Sequence, residues 1–359
     1  MLFALFLTKL GLEQSFEEMA MNPAQKKPAA RSRFDFHTLR LLVQSAFLLA
    51  CLYSGYRFYQ FYQWAMGSSA TFVERPPAIE GFLPISGLVS LKRFLLTGVY
   101  DRIHPAALTI FIAALMIAVF FRKGFCGWIC PVGFISNLVE RAARYLKILR
   151  RPPTWLDYAL LSCKYLLLAF FSWLILVRMD LAALESFSRD PYNLVVDARM
   201  LLFFIAPTVT TIWVLSTLVL ASFFLRNFWC RYLCPYGALM GILAWHGPLR
   251  INRDEQSCIN CRKCEKVCPG SIRVAEQTVV TSPECLGCLE CVAACPVDNC
   301  LRVSTYHRRK LPTWLVPLGV LSFFLIAWAV AHLTGHWQST VPPEILRSYY
   351  PMSATMAHP

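Results

Sequence analysis

Eight cysteines in the C-terminal third of the chain carry the spacing of iron–sulfur ligands. Cys258, Cys261, Cys264 and Cys268, the last followed by Pro269, recur 27 residues later as Cys285, Cys288, Cys291 and Cys295, followed by Pro296. Three closely spaced thiolates can wrap one face of a cubane while backbone N–H groups point at its sulfides. In this bacterial two-cluster spacing the fourth cysteine of each run ligates the other cluster. Cys258, Cys261, Cys264 and Cys295 are therefore assigned to one [4Fe-4S] cluster, and Cys285, Cys288, Cys291 and Cys268 to a second. A zinc site would call for four thiolates from paired C-x2-C groups, not two tripled runs.

A second repeat carries four more cysteines. Cys126-x3-Cys130-Pro131, inside Phe120–Gly133, matches Cys230-x3-Cys234-Pro235, inside Phe224–Gly237, at an offset of 104 residues. Each copy follows an apolar run, so two parallel repeats related by an axis along a membrane normal would bring the four thiols together. Four such thiols could hold a further iron–sulfur centre or a mononuclear iron, act as redox dithiols, or bind copper(I), which favours soft thiolates. Packing alone is the bland alternative. Cys51 and Cys163 read as small apolar packing residues, Cys300 as a bystander, and Lys164 as a cation that must snorkel or find a partner.

The elements that position these cysteines are apolar. Of 359 residues, 57% are hydrophobic and only 16% charged, with a mean hydropathy of +0.48, far from an ordinary soluble domain. The net charge of +14 sits beside apolar runs, where orientation-setting charge belongs, and no nucleic-acid module is visible. Five runs are long enough to span: Leu39–Trp64, Pro105–Phe121, Trp155–Val177, Met200–Leu225 and Thr313–Leu333. Lys and Arg flank them on the side of the cysteines, which predicts that every cysteine cluster lies in the cytoplasm and, with an odd number of spans, that the tail 335–359 lies outside. The expected fold is an all-α membrane bundle of about five transmembrane helices with an inserted cytoplasmic two-cluster ferredoxin domain of small α+β type. Its expected parts are an N-terminal segment 1–38, a first two-span repeat 39–138, an amphipathic connector 139–154, a second two-span repeat 155–249, the ferredoxin-like domain 250–310, a fifth span 311–334 and the tail 335–359. Residues 88–96 read as a further short amphipathic helix.

Together, the paired spans ending in C-x3-C-P and the tandem cubane run resemble the NapH/NosR/CcoG group of polytopic membrane ferredoxins, over roughly residues 39–310. The likeness leans toward the NapH-type quinol dehydrogenase subunit, from which the fifth span departs. The resemblance implies a bacterial inner-membrane electron-transfer subunit of an oxidoreductase system. It would carry two [4Fe-4S] clusters and relay electrons between the quinone pool and a redox partner, a ferredoxin or cytochrome, alongside other membrane subunits. His104, with Asp101, is the candidate contact for a quinol head group, since quinol oxidation needs a nearby base. The alternative is a maturation or regulatory factor that uses the paired C-x3-C-P cysteines for copper or thiol redox chemistry.

Overall fold

A computed structural model describes residues 36–306 and 309–356. The first 35 residues of the expected segment 1–38, with their cationic flank, lie outside the described residues.

Among the described residues three helices are long and apolar enough to cross a membrane: α1 (Phe36–Ala65), α5 (Thr154–Ser172, carried to Arg178 by a π-helical turn) and a late helix, Leu315–Leu333. Three of the five expected spans are thus single long helices. The expected second span is α3 (Pro105–Phe121), only 17 residues long and largely buried. It forms the hub of the fold, packed by the amphipathic α2 (Pro84–Thr97), by Leu315–Leu333 and by Pro235–His246. The expected fourth span is not one helix but two, Pro191–Ile205 and Val209–Phe224, bent by 72°. Pro207 has no N–H to continue the first helix, and the Thr208 hydroxyl restarts the second by accepting from the Thr211 N–H at 3.2 Å. Counting the bent pair as one crossing gives up to four such spans among the described residues, with the shorter Pro105–Phe121 beside them.

The internal repeat survives in the packing although the connections differ, the second half carrying a short helix at Leu181–Arg189 and a bent pair after it. In each half a π-helical turn (Phe125–Ile129 and Trp229–Leu233) leads into a helix, α4 (Pro131–Tyr145) and its counterpart Pro235–His246. Helix α4 packs on α1 and on Val209–Phe224, while Pro235–His246 packs on α5 and on α3. Each such helix thus touches the first helix of its own half and the last of the other, as a two-fold repeat requires.

The cubane runs hang on a three-stranded antiparallel sheet of order β2-β1-β3, with β1 at Leu249–Arg253, β2 at Val279–Val280 and β3 at Leu301–Thr305. Ile251 of β1 is paired with both Val280 and Val303. These side chains, with Leu289, close a small core over the cysteine loops.

Candidate iron–sulfur site

The two cysteine runs share a backbone shape. Asn260 and Arg262 in the first, and Gly287 and Leu289 in the second, take left-handed φ of 52°, 55°, 61° and 62°. These positions again differ by 27 residues. Alternation of this kind turns successive N–H groups inward and makes the anion-binding concavity found at many Fe–S sites. A cavity between the runs is walled by Cys258, Cys261, Cys264 and Cys295, the four cysteines assigned to one cluster. The other four also face one another. Burial, then the charges of Cys288, Cys268 and Cys285, and lastly Cys264, push the Cys291 thiol well above its ordinary value. Burial and, among the charges, Arg40 pulling down and Glu290 and Cys268 pushing up leave Cys288 at about 12. Cys300, read from sequence as a bystander, is buried in the wall of the first cavity. The donor sets therefore fit the clusters that the spacing implies, and thiols so disfavoured as free thiolates would be held charged by iron.

The C-x3-C-P turns are alike in detail. Cys130 and Cys234 each donate their N–H five residues back, to Phe125 and Trp229, both at 2.9 Å. Each then caps a helix that starts with proline, and the Gly237 N–H reaches the Cys234 sulfur at 3.3 Å. A helix N-terminus favours a thiolate there. A Cβ on Gly133 would lie 2.7 Å from the Cys126 carbonyl oxygen, so the turn can close only with glycine at that place. The four thiols lie within electrostatic reach of one another. Burial, then Cys234, Cys130 and Cys126 in turn, push Cys230 well above its usual value, and Cys130, raised by burial and by Cys234, lies at about 11. The Met240 thioether, fully buried, touches the Cys126 sulfur at 3.5 Å. Among the described residues no three His, Cys, Asp or Glu side chains are close enough to grip one metal ion. That holds for the eight run cysteines as for these four.

Both turns are fastened to the cubane loops through main chain. On the first, the Lys123 N–H reaches the Cys285 carbonyl at 3.3 Å and the Trp128 indole N–H the Gly287 carbonyl at 3.1 Å. Gly127 lies so near that a Cβ would stand 2.5 Å from the Leu286 oxygen. On the second, Arg226 donates to the Cys268 carbonyl at 2.7 Å, Asn227 to that of Pro269 at 3.1 Å, and Arg231 to that of Gly270. Arg122 and Arg226, equivalent in the two repeats, are both buried and both grip loop carbonyls, Arg122 that of Ser282. At the start of α1, Arg40 bonds the Gly127 carbonyl at 2.8 Å and Glu290, beside Cys291, at 2.9 Å.

Lys164 finds its partner here. It is wholly buried inside α5 and meets Glu284, the residue before Cys285, at 2.5 Å, while Lys123 reaches the same carboxylate at 3.3 Å. Against the cost of burial, Lys123 and Lys164 hold the Glu284 carboxyl down at about 2.

His104 and Asp101 lie at the opposite end of α3. One Asp101 oxygen accepts from the backbone N–H groups of Ile103 and His104, both at 2.8 Å, and the other from the Ser90 hydroxyl at 2.6 Å. His104, with no exposed surface, has one ring nitrogen 2.7 Å from the Asn193 carbonyl and the other 3.1 Å from Arg75. In this geometry neither residue offers a free atom to a quinol head group. They belong to a buried network in which Arg75 pairs with Asp197 at 2.6 Å and Glu80 at 3.0 Å, and Tyr350 donates to Asp197 at 3.0 Å.

An apolar helical scaffold carrying a dicluster domain of this kind defines an iron–sulfur protein of electron transport. A 4Fe-4S binding domain family matches residues 103–152 and again 205–253, one match per C-x3-C-P repeat, and a 4Fe-4S dicluster domain family matches 250–296. YccM of Escherichia coli, named for a proposed role in electron transport, is 39% identical over 329 residues, 89% of this chain and 90% of its own. An uncharacterized protein of Methanocaldococcus jannaschii is 32% identical over 64% of this chain and 81% of its own. The ferredoxin-type protein NapH of Haemophilus influenzae is 27% identical over 53% of this chain and 67% of its own. No solved structure matches. The chain belongs to the NapH/NosR-type family of membrane ferredoxins. Within it the likeness to YccM is longer and stronger than that to NapH, toward which the sequence leans.

Proposed function

We propose that the protein is a membrane-bound relay that passes electrons between the quinone pool and a soluble redox partner, with its cysteine-bearing side facing the cytoplasm of a bacterial inner membrane. The observation that carries this reading is the pair of seams. Both C-x3-C-P turns hydrogen-bond directly to the loops bearing Cys268, Cys285 and Cys288. The path then runs from Cys126, Cys130, Cys230 and Cys234 to the cubane of Cys268, Cys285, Cys288 and Cys291. From there it continues to the cubane of Cys258, Cys261, Cys264 and Cys295, where Cys261 is exposed to a partner. The clusters supply one-electron redox chemistry; the chain orients them and sets their surroundings.

The four C-x3-C-P cysteines are proposed to hold a third centre. Lys123 and Lys164 share one Glu284, so a buried positive charge is left over beside them, and a thiolate-bound metal centre would carry the opposite sign. The fully buried Met240 against Cys126 supports a second reading, a copper(I) site of soft sulfur ligands in a maturation factor. Protein purified without oxygen tests both. The relay predicts iron and acid-labile sulfide above the roughly eight of each that two cubanes supply, with cubane reduction by quinol in proteoliposomes. Eight of each with stoichiometric copper would favour the second reading, and cubanes inert to quinol and to a low-potential donor would overturn the relay.

A further inference from the structure

Away from the iron–sulfur path, a cleft of about 530 Å³ opens between the connector after α4 and the first cubane run. Its walls carry Arg144, Lys147, Arg151, Arg226, Arg262 and Lys266, with Glu265 as the one acidic residue. Glu140 pairs with both Arg144 and Arg226, and Glu276 meets Arg262 at 3.9 Å. Six cations against three carboxylates leave an excess of three positive charges. No ion pair of Lys147 or Lys266 is found among the described residues. The cations also crowd one another, Arg144 and Arg226 sharing the single carboxylate of Glu140. Such a wall is short of an anion.

The height of the cleft indicates which anion. Its floor is the stretch before α5, where the Arg150 N–H bonds the Phe224 carbonyl at 2.8 Å at the end of Val209–Phe224. One apolar helix ends there and another begins four residues later. Tyr145, Leu146, Trp155 and Tyr158 lie exposed beside it, as aromatic and apolar side chains do at the head-group level of a bilayer. Basic pockets at that level take anionic head groups. We propose that this cleft binds a phosphate-bearing anion, and that the anion is the head group of an acidic phospholipid. Seated there, the phosphates bridge the connector cations to Arg262 and Lys266 and hold the outer cubane run against the membrane.

The full chain, purified in detergent and stripped of lipid, is offered cardiolipin or phosphatidylcholine at equal concentration, and retained lipid is counted by native mass spectrometry. Inorganic pyrophosphate is the soluble probe. Wild type should retain cardiolipin in preference. The double variant Lys147→Gln/Lys266→Gln should lose about 30-fold of that preference, the worth of two interfacial cations, while Lys310→Gln keeps it. Cluster absorbance equal to wild type reports an intact fold in each. Pyrophosphate binding without a cardiolipin preference would keep the phosphate site and overturn the lipid as its source. Equal retention of both lipids with no pyrophosphate binding, or a preference the double variant leaves intact, would overturn the site itself.

Discussion

The hub helix α3 ends in a buried charge network at each extremity, and the two differ in balance. At its start, Arg75 and His104 face Glu80 and Asp197 with Tyr350 donating to the latter. If His104 is protonated, the charges cancel within the network. At its end, Lys123 and Lys164 share a single Glu284 a few residues from Cys126 and directly before Cys285. A balanced set needs nothing further and reads as structure. An unbalanced set is costly to bury, and the third centre proposed above would supply the negative charge it lacks.

The largest effect should come from the ligands themselves. Cys288→Ala is expected to remove one cubane, lowering bound iron and sulfide by about four each per chain in colorimetric assays; unchanged counts would break the assignment of Cys288. Next, the double variant Cys126→Ser/Cys230→Ser should keep dithionite-reducible cubanes but lose their reduction by quinol, as followed by EPR. Equal quinol rates would make that end of α3 structural too. Lys164→Gln sharpens the contrast further. It strips a positive charge from beside the inner cubane and so should lower that cluster's midpoint potential. It should also cost about 3 kcal/mol in detergent unfolding, as breaking one arm of a buried pair does. The smallest effect belongs to the balanced end. Burial lowers the His104 pKa, but Glu80 outweighs this and holds it above 6.5, so the protonated ring adds stability that is full below 6.5 and is lost as pH rises through the raised value. Melting curves of wild type and His104→Gln should therefore converge with rising pH. A gap that stays constant would mean that His104 does not titrate with folding.

The iron–sulfur class was readable because it is written in spacing. Three thiolates per cubane face fix C-x2-C-x2-C whatever surrounds them, and the repeat at an offset of 104 announced the paired turns. The helical bundle was readable in outline from hydropathy. The bend at Pro207 was not, since a run such as Met200–Leu225 scores as one span until the proline's missing donor and the Thr208 cap are weighed together. Nor was Glu284 as partner of Lys164, because 120 residues separate them and only the docked fold brings them together. The burial of His104 was hidden for a related reason: Arg75 and Asn193, which enclose it, come from distant segments. Glycine in a turn is an ordinary sight, so nothing local marked Gly127 as the point where two main chains touch.

The seam at Gly127 and Gly287 bears on how the molecule is made. Three cysteines of one set, Cys268, Cys285 and Cys288, are nearly sealed from solvent, whereas in the other set only Cys264 is and Cys261 is open. A cubane on the sealed set would have to be delivered before the C-x3-C-P turns clamp down, because a scaffold protein could not reach those thiols afterwards. The set that Cys261 leaves open on one side could be filled late, and repaired after oxidative damage, on the finished protein. Biogenesis would then follow a fixed order, with the inner cluster as a checkpoint for closing the fold.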